Sequence, residues 1–184
     1  MTMTRRVCYI LLFLSSALPV KAQEVSDSLR NKLHYYYMAD KSYEELLDLF
    51  NNGNLKPSDN YVTFEMLSKI VKDTPETRDL AAKTLLQISL ASDGAVSEVL
   101  GSYLLDFIES KPNDFYDAMS SSTEREKTRK TVILLTAFEV QMSDTKERLQ
   151  NMIDELVRKE LSKEVKEYVT ELLMQIKATH ILLE

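Results

Sequence analysis

The chain has 184 residues, a formal net charge of −6 and a sequence pI near 5.1, with one Cys, three Gly and no Trp. An acidic chain repels polyphosphate and anionic lipid, so we expect neither nucleic acid nor the membrane surface to be the main partner. Three glycines leave no phosphate-cradling loop, no dinucleotide fingerprint and no nucleophile elbow.

Residues 1–22 have the pattern of a secretory signal peptide. Arg5 and Arg6 precede an apolar run at residues 7–18, and small residues precede a cut after Ala22. The run is shorter than the roughly 18 residues of a membrane span, so we expect it to be removed rather than kept as an anchor. We therefore expect export by the general secretory route, to the periplasm or the outside of the cell.

The mature chain, residues 23–184, is predicted to be a single all-α domain. Its length of 162 residues is enough for one hydrophobic core, and its net charge falls to −9. It has no Cys and no Asn-x-Ser/Thr acceptor, which favours a bacterial envelope. Residues 23–122 hold 9 basic and 17 acidic side chains, against 11 and 12 afterwards, so a boundary near 122 is the alternative.

Apolar residues recur with the helical period along the whole mature chain, and no segment alternates with period two. Ser42 and Glu45 have capping-box spacing, and Gly53 and Gly94 are placed to end helices. The pattern predicts helices over 26–39, 42–52, 59–72, 75–92, 95–110, 113–121, 124–142, 144–160 and 163–182. The last two could instead form one long helix, although Ser162 as an N-cap favours a break.

Two stretches, "KPSDNYVTFEML" from Lys56 and "KPNDFYDAM" from Lys111, resemble each other. In each, Lys-Pro blocks a leucine-rich helix, and the polar residues that follow can cap the next one. Tyr61 and Tyr116 are then expected on the apolar face of that helix. We interpret the pair as a shared helix-to-helix junction rather than as a functional repeat.

The stretch "LHYYYMADKSYEELLDLF" resembles a tetratricopeptide helical hairpin. Leu33, Tyr37, Tyr43 and Phe50 have the spacing of that family's apolar positions, within residues 30–58. Larger residues, Leu46 among them, stand at positions where that family has small residues. The resemblance, shared with HEAT-like helical proteins exported by bacteria, implies antiparallel helix pairs arranged as an α-α superhelix or an irregular bundle. It does not transfer a peptide-binding site.

Metal ligands are few. Asp48, Asn52 and Asp59 fall at positions 1, 5 and 12 of a calcium-loop template, but Phe50 and Lys56 occupy two further ligand positions. We therefore expect no metal there and keep the three residues only as candidate ligands. No cofactor and no catalytic residue is expected from the sequence.

His180 and Glu184 are four residues apart and could share a metal ion. They stand on the last turn of the last predicted helix, where helices fray. We expect a solvated helix end instead.

Partner-binding candidates are a cationic cluster and an aromatic pair. Arg125, Arg129 and Lys130 lie close together at the start of a helix, where they could dock an acidic partner or the acidic N-terminal part of a second copy. Tyr35 and Tyr36 combine apolar rings with polar tips. Packing in the core or at its rim is the competing interpretation for the tyrosines.

The sequence thus favours an exported, non-enzymatic helical interaction or scaffold module that binds a protein partner. A first alternative is a metal-binding protein or enzyme whose carboxylates, such as Glu44 and Asp48, come from helices. A second is a carrier of an apolar ligand, consistent with eight methionines. Each interpretation needs a different kind of site in the folded chain.

Overall fold

In the computed structural model, residues 41–72, 77–92, 94–143 and 146–183 are described, with side chains as far as Ile181. The predicted signal peptide, the predicted helix over 26–39, and Tyr35 and Tyr36 lie outside them. The described residues contain no strand and eight helices: Tyr43–Asn51 (α1), Tyr61–Val71 (α2), Arg78–Ala91 (α3), Gly94–Ser110 (α4), Pro112–Ser121 (α5), Arg125–Ser143 (α6), Lys146–Arg158 (α7) and Lys163–Leu183 (α8). All eight belong to one compact unit that begins at Ser42.

The ends of α1 follow the sequence signals. Ser42 Oγ accepts a hydrogen bond from the backbone N–H of Glu45 at 3.2 Å, and the carboxylate of Glu45 accepts one from the backbone N–H of Ser42 at 2.7 Å. This capping box satisfies two N–H groups that the helix itself cannot. Gly53 follows the last turn with a φ of +69°, a conformation that costs a residue with a Cβ atom more than it costs glycine. The predicted start and end of α1 are confirmed.

The two Lys-Pro junctions differ in structure. Before α2, Asn60 Oδ1 accepts a hydrogen bond from the backbone N–H of Thr63 at 3.0 Å, as the motif predicts. At the second junction α5 begins at Pro112 itself, so Asn113 lies inside the first turn and no side chain caps the helix. The prediction for Tyr61 is wrong, because its side chain is 64% exposed.

The α7 and α8 helices are separate. α7 ends at Arg158, and Ser162 Oγ accepts a hydrogen bond from the backbone N–H of Val165 at 3.3 Å, at the first turn of α8. Ser162 therefore caps α8 and competes with helix continuation. The single-helix alternative is wrong.

Helices two apart in the chain pack side by side. Thr84 of α3 donates its hydroxyl to the carbonyl oxygen of Leu47 in α1 at 3.2 Å, and the hydroxyls of Ser68 and Tyr103 join α2 to α4 at 3.3 Å. α3 packs on α5, α4 on α6, and α6 on α8 in the same way. The predicted all-α class is confirmed. The largest fully buried side chains include Leu47, Met66, Ile70, Leu85, Leu100, Phe107 and Phe115.

The α4 and α6 helices approach each other very closely at Gly101. A Cβ atom added at Gly101 would lie 2.5 Å from Cβ of Glu139 and closer still to the carbonyl oxygen of Leu135. Real Cβ atoms do not approach other heavy atoms this closely. The hydrogen atom of Gly101 is therefore what lets the two helices come together.

Two side chains of the C-terminal helices differ from what their position in the sequence indicates, and the expectation for His180 is wrong. Val157 fits the apolar spacing of α7, yet its side chain is 70% exposed. His180 was expected on a solvated helix end, but it is buried against a cavity of about 160 Å³ lined also by Val140, Leu149 and Ile181. Which face of a helix is buried depends on the helices that pack beside it, and the spacing of apolar residues does not identify those neighbours.

Replacing Gly101 with Ala should destabilise the fold. Alanine gains about 0.5–1 kcal/mol of helix propensity over glycine, but overpacking a tight interface costs about 1–3 kcal/mol. Because the Cβ atom would meet backbone and a Cβ atom rather than a flexible side-chain end, we expect the clash to dominate and unfolding free energy to fall by about 1–2 kcal/mol. Urea unfolding measures it. Ser102→Ala on the same helix is the control, expected within about 0.5 kcal/mol of the wild type.

Candidate functional site

The predicted cationic cluster is divided by the fold. The guanidinium carbons of Arg125 and Arg129 lie 5.3 and 5.4 Å from the ring centroid of Tyr168 in α8. Arg129 also donates a hydrogen bond to the carboxylate of Glu171 at 2.8 Å. Both arginines therefore help to pack α6 onto α8, although Arg125, like Lys130, is exposed. A role for the cluster in partner binding stays a prediction.

Tyr168 is the point where α5, α6 and α8 meet. The ring of Tyr116 contacts it edge to face, with centroids 5.4 Å apart and an interplanar angle of 72°. Burial raises the pKa of the Tyr168 phenol against the opposing effect of Arg129 and Arg125. The phenol therefore stays neutral at physiological pH, and its ring is a packing surface for two cations.

The outer face of α6, which we define as Lys127, Lys130, Leu134, Phe138 and Met142, is apolar in its second half. Leu134, Phe138 and Met142 are 56%, 40% and 70% exposed. They follow one another at intervals of four, so they form a row along one side of the helix. The opposite side of α6 is buried in the core through Thr128, Val132, Thr136, Ala137 and Val140.

The sequence contains a signal for this face that periodicity alone does not bring out. Residues 132–138 read "VILLTAF" and are apolar on nearly every side. A helix at the edge of a fold can bury only one stripe, so some of these side chains must face outward. Which of them do so depends on where α4 and α8 lie.

The candidate calcium ligands lie in and around the connection between α1 and α2. Asp48, Asn52 and Asp59 are all exposed. The loop between α1 and α2 is held instead by its own packing, with Leu55 buried and its backbone N–H donating to Leu49 at 3.0 Å. Among the residues that the structure describes, no three His, Cys, Asp or Glu side chains are grouped to hold a metal ion.

Two carboxylates of α4, Asp106 and Glu109, meet around Arg148 of α7. Its guanidinium donates to Asp106 at 2.6 Å and to Glu109 at 2.5 Å. Burial by itself would lower the pKa of Arg148, but these hydrogen bonds outweigh it and raise that pKa above its usual value. The arrangement attaches α7 to α4, so these two carboxylates are occupied in holding the fold.

A cleft of about 430 Å³ opens where the start of α3, the α4–α5 junction and the α7–α8 connection meet. Most of its lining residues are polar or charged: Arg78, Ser110, Lys111, Pro112, Asn113, Asp114, Lys159, Glu160 and Leu161. A second cavity of about 270 Å³, beside Lys83 and Gln87 of α3, is also lined mainly by polar groups. The apolar cavity at His180, about 160 Å³, is smaller than the roughly 300 Å³ of a typical ligand pocket.

Comparison with known proteins leaves these features as the only guide to function. No protein-family model matches the chain, and no curated protein or solved structure is significantly similar to it. Within the described residues, no helix is both long and apolar enough to cross a bilayer.

Substitutions at Arg129 and Lys130 should separate a packing role from an exposed one. Arg129→Ala removes the contact with Tyr168 and the hydrogen bond to Glu171. Because the Glu171 side chain is mostly exposed, its hydrogen bond contributes little, and we expect a loss of about 1–2 kcal/mol in unfolding free energy. Lys130→Ala should stay within about 0.5 kcal/mol of the wild type. Urea unfolding of both variants tests this, and equal losses would contradict it.

Proposed function

We propose that the protein is an exported, non-enzymatic helical module that binds a protein partner through the outer face of α6. The observation that carries the proposal is the row of Leu134, Phe138 and Met142, three large apolar side chains left in water on a helix that already buries its other side. Contiguous exposed apolar groups mark interaction surfaces more often than isolated ones do. Export is supported by the pattern of residues 1–22.

The charges beside the row favour a partner with acidic side chains. Lys130 lies one turn before Leu134, and Lys127 precedes it by a further turn on the same side. Lys127 is ion-paired with Glu124 at 3.2 Å, but both side chains are more than half exposed, so that pair is weak and exchangeable. An occupant that satisfies this face presents apolar side chains to the row and carboxylates to the lysines. An acidic amphipathic helix of another protein has this composition.

The chain lacks the usual parts of most zinc and nucleophile–base sites, which is compatible with a binding role. The mature chain contains no Cys and only His34 and His180 as histidines. His180 is buried in the α6–α7–α8 packing, which leaves it away from the outer face of α6. Asp106 and Glu109 of α4 are paired with Arg148 of α7 and hold those two helices together. Binding rather than chemistry therefore accounts best for the exposed groups.

A photo-reactive amino acid at position 138 tests the proposal. With benzoylphenylalanine in place of Phe138 in the full chain, expressed in its own source cells, irradiation should crosslink one segment of one other protein. Mass spectrometry should show apolar residues at helical spacing in that segment, together with Asp or Glu. Val157 on α7 is also apolar and is more exposed, at 70% against 40%, so the same substitution there is the control and should give no such product.

The crosslinked segment, made as a peptide, should bind the purified chain in solution. Phe138→Ser should weaken binding about tenfold because a central apolar contact is lost. Lys130→Glu should weaken it about threefold, and replacing the facing acid of the peptide with Lys should restore it. Equal crosslinking at positions 138 and 157, or crosslinks only to a second copy of this chain, would contradict the proposed partner.

A further inference from the structure

The cleft of about 430 Å³ is built from three chain segments that are far apart in sequence. Arg78 begins α3, Lys111 and Asp114 flank the start of α5, and Lys159 lies in the α7–α8 connection. The volume is within the range of small-molecule sites, roughly 300–1,000 Å³. Three cationic side chains line it, although the chain as a whole is acidic.

Two of these cations are positioned by helix ends. Lys111 Nζ donates to the carbonyl oxygen of Ile70 at the end of α2, at 3.1 Å. Lys159 Nζ donates to the carbonyl oxygen of Glu109 at the end of α4, at 2.5 Å. Such bonds satisfy carbonyl groups that have no partner within the helix. These bonds fix the ends of both lysine side chains beside the cleft.

Arg78 is the third cation, and it is only partly compensated. Its nearest carboxylate, Asp114 Oδ2, lies 3.6 Å from Nε, beyond hydrogen-bonding distance. That Nε is shielded from solvent and, among the described residues, has no hydrogen-bond partner. The Arg78 side chain as a whole is 42% exposed, so the rest of its guanidinium can be reached from the cleft.

From this geometry we infer that the cleft binds the oxyanion of a small ligand, a carboxylate or a phosphate, with Arg78 as the main contact and Lys111 and Lys159 as supporting charges. A guanidinium presents paired N–H groups that match both kinds of oxyanion. Glu160, the other acid of the cleft, is exposed and hence screened by water and salt. The site is separate from the outer face of α6 and does not depend on the proposed protein partner.

Isothermal titration calorimetry of the purified chain tests the inference, with succinate and inorganic phosphate as probes and ionic strength held constant with sodium chloride. We expect saturable binding of at least one probe, and the probe that binds identifies the oxyanion as carboxylate or phosphate. Arg78→Gln should weaken binding about tenfold or more because a charged hydrogen bond is lost. Lys83→Gln, also on α3 but outside the cleft, should change it less than about twofold.

Glu160→Gln keeps the test independent of stability, because removing an acid beside the cleft should tighten binding about two- to threefold. An unfolded variant cannot produce such a gain, and far-UV circular dichroism checks that Arg78→Gln remains helical. The inference is overturned if neither probe binds saturably, if Arg78→Gln binds like the wild type, or if Lys83→Gln weakens binding as much as Arg78→Gln does.

Discussion

The close approach of α4 and α6 at Gly101 determines which side of α6 is buried. With no Cβ atom between them, the backbone of α6 at Leu135 lies directly on α4, and Val132 and Val140 turn into the core. The same rotation leaves Phe138 and its row in solvent. A bulkier residue at Gly101 would have to move or rotate α6, and with it the surface that we propose for partner binding.

Packing of the C-terminal helices depends on contacts with α6 and α4. Arg129 holds α8 through Tyr168 and Glu171, and Arg148 holds α7 to the acids at the end of α4. Long cationic side chains suit this purpose because their stems bury against apolar rings while their heads reach acceptors. A chain with a net negative charge thus uses several of its cations inside the fold, and those still accessible, such as Lys130, define its remaining surface chemistry.

Helix ends explain why a charged cleft forms at all. Each end leaves carbonyl or N–H groups without partners, and two lysines, Lys111 and Lys159, serve the ends of α2 and α4. Bringing those ends together concentrates positive charge beside Arg78. The second Lys-Pro junction lies in this cleft. A motif that ends one helix and begins the next therefore also supplies part of a candidate site.

Local signals predict the helices well because they act within a few residues. The capping box at Ser42 and the break at Ser162 depend on side chains that bond to their own first turn, and both are readable from spacing. The outer face of α6, the burial of His180 and the cleft at Arg78 are not readable in this way. Each brings together residues distant in the chain. Composition and periodicity therefore determine which segments are helical, whereas only the tertiary packing decides which apolar stripe is covered and which charges converge, because both depend on the neighbours a helix meets in space.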